Sequence, residues 1–179
     1  VLGFLRRGRH ERIGYELYGT AVAAARDPYF YVTLAVPDTL DGRFDLVGLH
    51  VYLVIRRARR LPPPDDALAQ AVFDAMFNDM DVNLRELGVG DMSVGKKMKA
   101  MWEAFHGRSV AYEAGLGDAD PAVLERALDR NVWRGAAPQG RPAVLARIVR
   151  AQDAWLADQD GAAIAAGQLA FRSPVEQTA

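Results

Sequence analysis

Apolar residues recur along much of this chain at three- and four-residue steps, the spacing that lines one face of a helix. The clearest case is the stretch 73–108, FDAMFNDMDVNLRELGVGDMSVGKKMKAMWEAFHGR. Val72, Met76, Met80, Leu84 and Leu87 form one stripe, widened by Phe73 and Phe77, while Asp74, Asn78, Asp81 and Arg85 share another face. Gly88 follows Leu87 where a left-handed helix cap would sit, and Gly90 and Asp91 continue the turn. A second helix restarts near Ser93. Its apolar residues are Met98, Met101, Trp102, Phe105 and Tyr112, and Lys96, Lys99, Glu103 and His106 share a polar face. So short a link predicts an antiparallel hairpin.

The flanking segments read the same way. Residues 9–26 predict a helix with a small-residue face through Ile13, Leu17, Thr20, Ala21 and Ala24, ending before Asp27-Pro28. Tyr29, Phe30 and Tyr31 cannot all face one core. Residues 44–60 are β-branched enough for a buried strand, yet the apolar zone has polar ends over seventeen residues, which favours a buried helix. His50 inside that zone reads as a hydrogen-bonded core residue. Pro62, Pro63 and Pro64 form a rigid hinge, with Asp65 and Asp66 capping the helix that follows. Helices begin again at Asp120-Pro121 and near Pro142, with glycines 115, 117 and 135 as stops, and a short packed helix starts at Gly161. The expected fold is one all-α domain over residues 1–179, of six or seven helices around the hairpin, with a disordered tail from 173 to 179.

Composition narrows the function. The chain has 179 residues, half of them hydrophobic and a quarter charged, as in one globular domain. With no cysteine, disulfides, thiolate catalysis and cysteine-held metals are excluded. A net charge of −1 argues against specific nucleic-acid binding by the molecule as a whole. Charge is nevertheless sorted within the hairpin. Residues 61–95 hold seven acids against Arg85 alone, and residues 96–110 hold four cations against Glu103 alone. All three lysines of the chain lie between positions 96 and 99; the other nineteen cations are arginines. Two explanations fit: salt bridges across the hairpin, or a bipolar surface for a partner. Under the second, Asp79, Asp81, Lys96, Lys97, Lys99 and Arg108 bind the partner, with Phe77, Met98 and Trp102 as apolar anchors. A further basic cluster, Arg56, Arg57, Arg59 and Arg60, suggests contact with an anionic membrane surface. The longest apolar run, residues 46–55, falls well short of the ~20 residues of a membrane span.

Catalytic templates are scarce. There is no phosphate-binding loop, dinucleotide fingerprint, serine nucleophile elbow or haem-attachment motif. Glu103 and His106, three apart on a helix, have the spacing of one half of a di-iron carboxylate site, but a second such pair is missing. A helical metalloenzyme using that pair is therefore the alternative reading, and no cofactor or metal is expected.

The segments YFYVTLAVPDTLDGRFDLVGLHVYLVIRR, FNDMDVNLRELGVGDMSVGKKMKAMWEAFHGR and ALDRNVWRG resemble the ubiquinol–cytochrome c chaperone family in its bacterial form, over residues 18–135. The resemblance implies an all-helical, non-enzymatic chaperone that assists assembly of the cytochrome bc1 complex by handling newly made cytochrome b. It implies a place in the bacterial cytoplasm, peripheral to the inner membrane. In mitochondrial members it extends to a small helper protein and the ribosome exit region.

Overall fold

Five helices start on a side chain that accepts a backbone N–H. Asp27, Thr39, Asp65, Asp120 and Asp160 bond to the amides of Tyr29, Gly42, Leu68, Ala122 and Ala162. The computed structural model describes the backbone of residues 2–177 and the side chains of residues 8–177. Its helices are α1 (Leu2–Ala25), α2 (Pro28–Val32), α3 (Leu40–Arg59), α4 (Asp66–Glu86), α5 (Asp91–Gly117), α6 (Pro121–Leu128), α7 (Arg141–Asp158) and α8 (Gly161–Ala165). A π-helical turn, Asp129–Trp133, continues α6, and a 3-10 turn, Val175–Gln177, lies near the end. Among the described residues there is no strand, and no helix is long and apolar enough to cross a membrane.

The β-branched stretch at 44–60 is α3, and it is the axis of the fold. It is buried nearly all round, from Asp45 to Arg56, and α1, α4, α7 and the π-helical turn pack against it. Its leucines and valines at 46, 47, 49, 51, 53 and 54 join the core, each worth about 1.5–3 kcal/mol relative to exposure. His50 behaves as expected of a core residue: its Nδ1 donates to the Leu46 carbonyl at 2.8 Å, and the rings of Phe30 and Phe171 meet it edge-on.

α1 and α4 form the closest helix pair. A Cβ at Gly14 would sit 2.6 Å from the Ala71 carbonyl, so glycine sets that approach. Gly115 does the same between α5 and α6, where a Cβ would lie 2.7 Å from Leu124 Cα. The stop expected at residues 115–117 is therefore displaced to the end of that run, and α5 continues to Gly117. Gly88 does terminate α4, with φ of 77°. Near the C-terminus, Gln177 donates to the Arg172 and Ser173 carbonyls in the 3-10 turn, and residues 178–179 of the expected tail lie outside the described residues.

Candidate functional site

α5 is fastened to α3 through its second half. One stripe of α3, Asp45, Leu49, Tyr52 and Arg56, faces α5 at steps of four, three and four residues. At one end the Asp45 carboxylate receives Arg108 at 2.5 Å and Arg134, which follows the π-helical turn, at 2.6 Å. Burial pushes the Asp45 carboxyl up against the pull of both guanidiniums. At the other end Arg56 pairs with Glu113 and, at 2.8 Å, with Asp153 of α7. Tyr52 donates to Glu113 at 2.6 Å. Although burial alone pushes the Glu113 carboxyl up, the bonds from Arg56 and Tyr52 hold it below the usual carboxylate range.

The first half of α5 has no such anchors. Between Asp91 and Ala104 only Val94 is buried, while Met98 and Met101 are half-buried on the same inner stripe. In the middle of the seam Phe73 and Phe77 of α4 stack at 4.5 Å and meet Phe105. A groove opens on either side of this aromatic stop. The one nearer the α4–α5 turn has a volume of about 250 Å³ and is walled by Leu40, Phe44, Met80, Leu84, Leu87 and Met101, with Lys97 and Asp41 among its few polar neighbours. The other, about 480 Å³, is lined by Ile55, Phe73, Trp102 and His106, with Arg59 and Glu113. Trp102 and His106 stack there in parallel at 5.5 Å.

The acids of α4 and the lysines of α5 do not brace the hairpin; the two helices are linked at the turn by the Arg85–Asp91 ion pair, at 2.6 Å. Among the described residues no lysine pairs with an acid of α4; Lys99 reaches only Glu103 of its own helix, at 3.9 Å. The α4 acids are engaged elsewhere: Asp79 accepts Tyr18 of α1 at 2.6 Å, and Asp81 holds Arg85 at 2.7 Å. The residues expected at a binding surface thus divide. Lys97, Met98 and Trp102 line or adjoin the grooves, Phe77 belongs to the aromatic stop, and Lys96 and Lys99 face outward. Asp79, Asp81 and Arg108 are committed to internal pairs. Sequence reasoning missed Leu40, Phe44, Met80 and Met101 as groove walls; the methionine spacing carried that signal.

The arginines at the end of α3 are similarly divided. The Arg56 side chain is 6% exposed and faces inward. Arg57 donates to the Gln159 carbonyl, Arg60 pairs with Glu113, and Arg59 stands 3.9 Å from Asp66. Arg56 and Arg60 are thus held by carboxylates, whereas Arg57 meets only a carbonyl and Arg59 makes only a long contact, so this end is a partly compensated ionic network. For the metal alternative, Glu103 and His106 stay on the exposed face of α5. Among the described residues no group of three or more His, Cys, Asp or Glu side chains converges to hold a metal ion.

A sequence model of the ubiquinol-cytochrome C chaperone family matches residues 32–171. The chain is 25% identical to the ubiquinol-cytochrome-c reductase complex assembly factor 1 of Xenopus laevis over 152 residues, covering 84% of this chain and 76% of that one. It is 23% identical to the corresponding mouse (Mus musculus) protein over 163 residues, 90% of this chain and 55% of that one, so it spans about half of the mouse protein. The crystal structure of the Cbp3 homolog from Brucella abortus superimposes with a TM-score of 0.84 at 36% identity, covering 98% of both chains.

Proposed function

The chain belongs to the ubiquinol-cytochrome C chaperone family, and on that premise we propose that it assists assembly of the ubiquinol–cytochrome c reductase complex by holding newly made cytochrome b in the groove under the first half of α5. The observation that carries this reading is a methionine-walled apolar groove beside Lys97, which makes no ion pair among the described residues. Methionine is flexible and polarisable, so it accommodates apolar segments without fixed tertiary structure. Lys97 is available to a client carboxylate, where an arginine already paired within the fold is not.

The role is one of binding, without catalysis. It is exercised on the cytoplasmic side, where cytochrome b enters the inner membrane. Lys97 remains in the proposed site, with Phe77 and Met98 beside it, while Trp102 lies in the second groove beyond the aromatic stop; Asp79, Asp81 and Arg108 act as supports through Tyr18, Arg85 and Asp45. A small helper protein or the ribosome exit region would compete for the same exposed half of α5, so the test uses purified components.

In detergent, the wild type should retain cytochrome b on an affinity resin. Leu40→Asp and Met101→Asp each place a carboxylate in the groove wall and should reduce retention roughly tenfold or more, as expected for a charge set against an apolar contact. Leu40 is largely exposed, so Leu40→Asp should leave the melting temperature nearly unchanged. Undiminished retention by both variants would overturn the groove assignment.

A further inference from the structure

The turn between α4 and α5 carries apolar side chains that the rest of the protein leaves uncovered. Met92 is 96% exposed and Leu87 is 64% exposed. Leu87 caps α4 and Met92 lies in the first turn of α5, so both stand at the end of the hairpin, Leu87 on the rim of the groove. Helical spacing puts Met92, Lys96 and Lys99 on one outer face, away from the buried Val94. Lys96 has no ion pair among the described residues, and Lys99 has only the long contact to Glu103. Two acids flanking the tip, Asp81 and Asp91, are both held by Arg85, at 2.7 and 2.6 Å. One guanidinium between two carboxylates leaves a single negative charge and Glu86 adds a second, so Lys96, Lys97 and Lys99 bring the tip to a net charge of only +1, with the positive charge gathered on the α5 side.

The choice of cation indicates what lies opposite. Arginine supplies nineteen of the 22 Lys and Arg residues, and within the fold it makes the fixed carboxylate pairs at Asp45, Asp81, Glu113 and Asp153. Lysine appears only beside the exposed tip. A flexible, hydrated point charge suits a layer of mobile headgroups, whereas a rigid fork suits a partner of fixed shape. Exposed apolar side chains with lysines one and two turns further along the same face have the composition of a shallow interfacial anchor.

We propose that the α4–α5 tip dips into the surface of an anionic lipid bilayer, with Leu87 and Met92 entering the acyl boundary and Lys96 and Lys99 on the headgroup phosphates. The contact shares Leu87 with the groove wall, whereas Met92, Lys96 and Lys99 lie outside the groove and test it separately from client capture. It also transfers the membrane-facing role from the arginine end of α3, where Arg56 and Arg60 are held by carboxylates and no large apolar side chain among the four arginines stands exposed, to the opposite end of α4. Glu86, exposed at the tip and unpaired among the described residues, opposes the attraction.

The chain has no cysteine, so Met92→Cys provides a single attachment point for a polarity-sensitive dye. Its emission should shift to the blue on phosphatidylglycerol-containing vesicles and stay unchanged on phosphatidylcholine alone. In flotation, Lys96→Glu/Lys99→Glu should weaken binding to the anionic vesicles roughly thirtyfold or more, and Leu87→Ser/Met92→Ser roughly tenfold. Glu86→Gln should strengthen it, and Arg59→Glu/Arg60→Glu should leave it near the wild-type value. All these side chains are exposed, and circular dichroism of each variant checks the fold. A dye that does not respond, binding indifferent to phosphatidylglycerol, or tip variants that float like the wild type would overturn the proposal. So would loss of cytochrome b capture by Lys96→Glu/Lys99→Glu, whose side chains lie outside the groove, with vesicle binding unchanged, which would give the tip to a protein partner.

Discussion

Asp45 offers a quantitative test of how α5 is held. Its carboxylate is 1% exposed and is shared by two arginines in different surroundings: the Arg108 side chain is 17% exposed and the Arg134 side chain 51%. Asp45→Asn removes the charge while keeping the size. Arg134 can then turn to water, and the loss of that half resembles a surface pair, about 0–1 kcal/mol. Arg108 has less freedom, because its guanidinium lies over the Phe44 ring at 5.7 Å and stays largely enclosed. Stranding a buried partner costs about 3–5 kcal/mol, and the cation–π contact offsets about a fifth of that. Removing the charge also recovers part of the burial cost that pushes the Asp45 carboxyl up, so the net expectation is about 2 kcal/mol, or a fall in melting temperature of about 4–8 °C for a chain of this size. Arg134→Met should cost far less than Arg108→Met. The double variant Asp45→Leu/Arg108→Met should recover much of the loss, since a matched apolar pair replaces a broken ionic one. Thermal melts followed by circular dichroism make the comparison. An Asp45→Asn variant melting within two degrees of wild type, or equal costs at Arg108 and Arg134, would refute the reasoning.

Two other predictions concern packing and pH. Gly14→Ala should destabilise the protein despite the better helix propensity of alanine, because the new Cβ meets the Ala71 backbone at 2.6 Å; overpacking of about 1–3 kcal/mol opposes a propensity gain of about 1 kcal/mol. Gly95→Ala and Gly107→Ala, with nothing within 4 Å of the added methyl, should each stabilise α5 by about 0.5–1 kcal/mol, and urea unfolding distinguishes the signs. Burial holds the His50 pKa down at about 4, from 6.5, against the hydrogen bond to Leu46 and the nearby Asp27 carboxylate, both of which raise it. The unfolded chain thus takes up a proton there that the folded chain refuses. The contribution of His50 is complete above pH 6.5 and declines as the pH falls towards about 4, at up to about 1.4 kcal/mol per pH unit. His50→Leu should flatten that part of the stability–pH curve; an unchanged slope would remove His50 as its source.

What the sequence made legible was local. Asp65 and Asp120 cap helices because an aspartate reaches an amide two or three residues ahead, and no distant element alters that. The helical state of residues 44–60 followed from the length of the apolar zone, and the core position of His50 from its neighbours. Charge sorting between residues 61 and 110 was equally visible, but its meaning depended on how each helix is rotated about its axis. α4 directs Asp79 at Tyr18 of α1 and ties Asp81 to its own Arg85, so neither reaches the lysines of α5. Arg56 differs from Arg59 and Arg60 in the same way. It shares a stripe with Asp45, Leu49 and Tyr52, and that stripe meets α5; its burial becomes intelligible only once a neighbour is known to lie there.

The same stripe explains why one half of α5 is available for function. Asp45 and Arg56 grip α5 through Arg108 and Glu113, both behind the aromatic stop at Phe105. Ahead of that point α5 rests on Val94 and two half-buried methionines, so fewer apolar contacts resist its local displacement than in the second half. A binding surface for unfolded apolar segments needs both properties. It needs a rigid body that keeps the groove from collapsing on itself, and an adaptable wall that can follow clients of irregular shape. Arginine–carboxylate pairs supply the first at the rear of the helix, and methionines with an unpaired lysine supply the second at the front. Tightening the front therefore separates stability from function: Gly95→Ala should raise the melting temperature, yet, if the wall must move to admit a client, it should also slow cytochrome b capture. Gly107→Ala, behind the stop, should raise stability alone. Equal capture rates for the two variants would show that the groove accepts its client without movement of α5.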